Sequence, residues 1–91
     1  MEKAQARILI SGRVQGVCFR MYAEEEAVGR GLTGWIRNLP SGQVETLLEG
    51  DKKAIEEMVQ WCHKGPPAAK VTRVEVEWET YRGDFNDFRT V

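Results

Sequence analysis

Ser11-Gly12-Arg13-Val14-Gln15-Gly16-Val17-Cys18-Phe19-Arg20 joins two segments of different period. Upstream, Ala6, Ile8 and Ile10 alternate with Arg7, Leu9 and Ser11, the period-2 pattern of a buried strand. Downstream, Phe19, Ala23 and Ala27 recur every four residues with Val28 beside them, one face of a helix that runs to Gly29. The stretch is therefore a strand-to-helix turn. Gly16 can take a positive φ there and lets main-chain N–H groups converge with no Cβ in the way. The helix start adds unpaired N–H donors and the positive end of a dipole. Arg20, in the first helical turn, adds a planar fork of donors. Such a turn fits a tetrahedral oxyanion, phosphate above all. A glycine turn between a strand and a helix is also a common connection with no ligand.

The order of the later elements follows from this start. Gly29 and Gly31 end the helix, and Leu32 to Leu39 reads as a second strand. Leu39-Pro40-Ser41-Gly42 is a turn, and Gln43 to Glu49 completes a hairpin as the third strand. Asp51 is a good N-cap for a second helix, on which Ile55, Met58, Val59 and Cys62 share one face. Gly65-Pro66-Pro67 stops it. Arg73 to Glu79 alternates as a fourth strand with one wet face, Tyr81 to Asp84 is a loop, and Phe85 to Val91 adds a short edge strand. The order β-α-β-β-α-β, with two right-handed crossovers around a hairpin, predicts an α+β fold. It is the split βαβ sandwich, an antiparallel sheet with both helices on one face.

Composition bounds the function. Ninety-one residues make a single domain, 1–91, and 42% hydrophobic with 30% charged residues suits a folded chain rather than disorder. A formal charge of -1 argues against nucleic-acid binding driven by counterion release. Residues 1–44 hold six Lys/Arg against four Asp/Glu, and residues 45–91 hold seven against ten. The basic excess thus lies in the half with the turn, as an anionic small ligand requires. Cys18 and Cys62 make neither a disulfide framework nor a zinc site. With no signal peptide and no apolar run near the length of a membrane span, a cytoplasmic protein with reduced thiols is expected.

The split βαβ order also places a partner for the turn. Its first crossover makes strands one and two parallel, so Arg37-Asn38, at the end of strand two, reaches the same sheet edge as the turn. Asn38 can donate and accept at once and so hold a water; before Leu39-Pro40 it is equally a turn initiator. Arg13 and Arg37 either add positive potential near the turn or are surface charges.

Gly12 to Arg20, followed by Gly34-Trp35-Ile36-Arg37-Asn38, closely resembles the acylphosphatase family, and the resemblance extends through Val74-Glu75-Val76 to Asp87-Phe88-Arg89. It implies a ferredoxin-like fold and hydrolysis of a carboxyl–phosphate anhydride to carboxylate and phosphate. It further implies that Arg20 binds the phosphate, that the main-chain N–H groups of Gln15, Gly16, Val17, Cys18, Phe19 and Arg20 cradle it, and that Asn38 orients the water. No metal, no cofactor and no phosphoenzyme are implied. The expected substrate is a small-molecule acyl phosphate, with no nucleic-acid or membrane partner and a monomeric state. The alternative is a non-catalytic phosphate-binding or regulatory module of the same fold.

Cys18 departs from the family pattern, where Gly or an aromatic residue is common. Next to a helix start its thiol is a candidate for activation and oxidation. As a nucleophile it is badly placed, because only Phe19 separates it from Arg20 and no loop can wrap a phosphate between them. Cys62 reads as core, His63 as a solvated helix-end residue, and Trp35, Trp61 and Trp78 as packing residues. Glu24, Glu25 and Glu26 read as a solvated helix face, since three adjacent carboxylates on a helix diverge. An RNA-binding sheet of this topology needs exposed aromatic and basic residues, whereas strand one offers Arg7 and Leu9 and strand four offers Glu75 and Glu77.

Overall fold

The computed structural model describes residues 2–91. Strands β1 (Lys3–Arg13), β2 (Thr33–Asn38), β3 (Val44–Asp51), β4 (Lys70–Thr80) and β5 (Phe88–Thr90) form one sheet in the order β4-β1-β3-β2-β5. Helices α1 (Phe19–Gly29) and α2 (Lys52–Lys64) follow β1 and β3. This is the expected ferredoxin-like order, and the four long strands pair antiparallel with their neighbours. The short edge strand is present too, but β5 lies parallel to β2, so the sheet is mixed. The cause is topological. The chain leaves β4 at one edge, turns back through residues 81–87, and so enters the opposite edge running antiparallel to β4.

One face of the sheet is apolar and covered. Ala6, Ile8 and Ile10 of β1 are fully buried with Val44 and Leu48 of β3 and Ile36 of β2. Against them pack Phe19, Ala23 and Ala27 of α1 and Ile55, Met58 and Cys62 of α2, as the two helical stripes require. Burial pushes the Cys62 thiol up to about 12. It is a free, inert core residue. Asp51 caps α2 by accepting from the Lys53 main-chain N–H at 3.3 Å.

The opposite face is mixed: Leu47 is buried there among polar residues that pair with one another. Glu45 accepts from Arg37 at 2.8 and 2.7 Å and from Arg7 at 3.1 Å. Burial pushes its carboxyl up, but the two guanidinium groups outweigh that and hold it below the ordinary value. Both arginines lie over the Trp35 ring, Arg37 at 5.0 Å and Arg7 at 6.0 Å. Trp35 is thus a half-buried residue of the open face. Trp61, half-buried, packs on the buried Phe19 with 5.3 Å between ring centroids, while Trp78 is exposed beside Lys52. The open face therefore does carry an aromatic ring and two arginines, but both guanidinium groups are paired with Glu45.

Glu49 is buried at the far end of β3. It accepts from the main-chain N–H groups of Arg82, Gly83 and Asp84 at 2.9, 3.1 and 2.8 Å, and from the Gln5 side chain at 3.0 Å. Desolvation raises its pKa, yet these four donors more than compensate and leave it lowered. This carboxylate fixes the strap that leads to β5.

Candidate active site

β1 ends in a bulge. Its register against β4 shifts between Ser11 and Gly12, where φ is 123° and a Cβ would run into the Lys70 carbonyl. The chain then leaves the sheet and turns through Gly16 (φ 73°) and Cys18 (φ 62°, ψ 25°) before α1 begins at Phe19. Alternating left-handed residues aim successive N–H groups into one concavity. Among the described residues, no hydrogen bond uses the main-chain N–H of Gln15, Gly16, Val17, Cys18, Phe19 or Arg20 as donor. Six donors in a row are therefore available to a ligand. Phe19 and Val17 turn their side chains to the core, which fixes the loop from below.

Asn38 reaches this loop because β1 and β2 flank β3 in parallel. Ile10 and Asn38 both sit opposite Val44, one on each side, so they are about 10 Å apart by strand spacing. A cavity of about 530 Å³ opens between the loop and Asn38, lined by Gln15, Gly16, Cys18, Arg20 and Asn38. Among the described residues no hydrogen bond engages the Asn38 side chain, which is exposed. Arg20 donates from Nη1 to the Val91 main-chain oxygen at 3.0 Å. Arg37 lies on the other face with Glu45, and Arg13 is exposed at the end of β1; neither lines the cavity.

Three features of this site were not expected from the sequence. The Gln15 side chain donates from Nε2 to the carbonyls of Leu39 and Gln43, at 2.8 and 2.9 Å, so it bridges the loop to the turn after Asn38. Thr90 of β5 closes one side of the cavity. Glu24 turns inward to the cavity and accepts from the Thr90 hydroxyl at 3.1 Å, whereas Glu25 is exposed and Glu26 pairs with Arg30. Within the expected solvated acidic face, Glu24 is thus set apart as the member that borders the cavity. It stands one turn after Arg20 and shares its side of the helix.

A second cavity, of about 410 Å³, opens on the far side of β2 between Trp35, Phe85 and residues 84–91. Its guanidinium groups are already paired, Arg37 with Glu45 and Arg89 with Asp87. It offers an anion much less than the loop does.

A family model described as Acylphosphatase matches residues 6–90. The chain belongs to the acylphosphatase family. It is 48% identical over 89 residues to the acylphosphatase of Pelotomaculum thermopropionicum, covering 98% of this chain and 97% of the relative. To the acylphosphatase of Anaeromyxobacter dehalogenans it is 52% identical over 87 residues, covering 96% and 94%. Among solved structures, the acylphosphatase from Bacillus subtilis superposes with a TM-score of 0.93 at 39% identity, covering 97% of this chain and 98% of that one. The expected enzyme class, an acid-anhydride hydrolase acting on acyl phosphates, follows from these relatives rather than the non-catalytic alternative.

Proposed function

We propose that the enzyme hydrolyses its acyl phosphate by direct attack of a water on phosphorus, with the loop of residues 15–20 and Arg20 holding the PO₃ group and Asn38 aiming the water. The observation that carries this reading is the shared cavity. Gln15, Gly16, Cys18, Phe19 and Arg20, with unengaged main-chain amides, line it together with the free Asn38 carboxamide, and Val17, also unengaged, lies between them in the loop. The water oxygen bonds to phosphorus, the phosphorus–oxygen bond to the acyl group breaks, and its electron pair leaves on the carboxylate. The water protons remain on the phosphate, which sheds one to solvent near neutral pH.

The carboxylate is a good leaving group and the transition state is loose, so the water needs little help in losing a proton. Positioning and stabilisation of charge on the equatorial oxygens are what the protein must supply. Among the described residues no three His, Cys, Asp or Glu side chains gather as a metal site would need. We further infer a monomer acting on a free small molecule in the cytoplasm. No described helix is long and apolar enough to cross a membrane.

The test is phosphate release from benzoyl phosphate in EDTA, with inorganic phosphate as inhibitor. Catalysis competitive with phosphate is expected. Release at the uncatalysed rate would leave only a binding module. Arg20→Ala should cost more than about a hundredfold in kcat/KM, from one bidentate charge-assisted contact, and should weaken phosphate inhibition in step. Unchanged inhibition by phosphate would remove Arg20 from this role.

A further inference from the structure

Glu24 sets a carboxylate in the same cavity as Arg20, one helical turn away. Its Oε1 is held by the Thr90 hydroxyl, and among the described residues it forms no ion pair. Arg20 is held in turn by the Val91 main-chain oxygen. Two successive residues of the C-terminal segment thus fix two side chains of α1, spaced i and i+4, of opposite sign. Tied to Thr90, the carboxylate makes no direct ion pair with the guanidinium. It remains a fixed negative charge facing a site whose other groups attract a polyanion.

We propose that Glu24 is a specificity-determining residue that weakens the hold on fully charged phosphate, so that the site prefers the transition state and releases its product. The inference rests on the phosphate-site reading above. The PO₃ group of an acyl phosphate carries two negative charges, and free phosphate carries nearly as many at neutral pH. As the bond to the acyl oxygen stretches in a loose transition state, charge drains onto the departing carboxylate and PO₃ moves towards a single charge. By overall charge, a carboxylate facing the same cavity repels substrate and product more than that state, while the loop donors and Arg20 stay matched to the planar spread of charge over its equatorial oxygens. Differential repulsion of this kind favours turnover over tight binding.

Glu24→Gln keeps an acceptor for Thr90 and removes the charge. Thr90→Val keeps the charge and removes the hydrogen bond. The assay is benzoyl phosphate hydrolysis with inorganic phosphate as competitive inhibitor, on variants whose circular dichroism matches the parent. Glu24→Gln should lower the phosphate inhibition constant about tenfold, the range of one charge–charge coupling, with KM and kcat falling alongside it. In 1 M KCl the gap between Glu24→Gln and the parent should shrink to less than about threefold. Thr90→Val should not tighten phosphate. An unchanged or weaker inhibition constant in Glu24→Gln, a gap insensitive to salt, or equal tightening in Thr90→Val would each overturn the proposal. A parent enzyme that phosphate does not inhibit would take down the phosphate-site reading as well. A parent that is inhibited, with Glu24→Gln no tighter, sinks this inference alone.

Discussion

Gln15→Ala separates the alignment of the two halves of the site from the binding of phosphate. The Gln15 amide reaches the Leu39 and Gln43 carbonyls at 2.8 and 2.9 Å. Both acceptors keep a main-chain partner without it, since Gly42 donates to Leu39 at 3.0 Å and Leu39 to Gln43 at 2.8 Å. No buried acceptor is orphaned, so each lost bond costs the ordinary amount of about 1 kcal/mol. The rotamer freedom that Gln15 regains returns part of that, leaving a net loss of about 1–2 kcal/mol. For a domain of this size the midpoint of thermal unfolding then drops by roughly 5–10 °C. The catalytic effect is larger than the stability effect suggests. The amides of residues 15–20 remain, so the phosphate inhibition constant should stay within about threefold, while kcat falls about ten- to a hundredfold because the water holder loses its register with the loop. Thermal denaturation by circular dichroism, benzoyl phosphate turnover at 25 °C and phosphate inhibition measure the three quantities. A lowered midpoint with unchanged kcat would make the bridge merely structural. A phosphate constant that rises as steeply as kcat falls would show that Gln15 shapes the loop itself.

Asn38→Ala should lower kcat with little change in phosphate inhibition, because the residue is assigned to the water; a rise in KM alone would contradict that. Cys18→Gly should raise stability by about 1 kcal/mol with activity retained, since a left-handed residue other than glycine carries that strain; a lower melting midpoint would refute it. Glu49 has a folded pKa below its ordinary 4.5, so its contribution to stability is complete above that value and fades as the pH falls through the folded pKa. Glu49→Gln should therefore unfold more easily at pH 7, with a flatter decline between pH 5 and pH 2 than the parent. A parallel decline would clear Glu49 of the acid response.

The order of the elements could be read because Ile8, Ile10, Ile55 and Met58 recur with the periods of their elements. The approach of Asn38 to the glycine turn could be read because a right-handed crossover leaves β1 and β2 parallel. Contacts made by single side chains across long separations have no such period. Gln15 meets Leu39 and Gln43 through an amide that any surface glutamine carries. Glu49 shows in the sequence only as the end of the third strand, and nothing local tells that the amides of residues 82–84 return over it. Glu24 sits in an acidic run whose other two members do face outward or pair locally, and only β5 shows why it differs. β5 itself, three residues long, is too short for periodicity to show its direction.

That brevity makes the proposed site softer than its frame. Residues 88–91 carry the anchors of both Arg20 and Glu24, yet they are held to β2 by a short parallel ladder that ends with the Val91 amide on Ile36. Short edge segments of this kind open at a fraction of the global unfolding cost. Each such opening frees the guanidinium to swing while the helices and the four long strands stay intact. On warming, turnover should fade several degrees before ellipticity does, and amide exchange at residues 88–91 should track the fading.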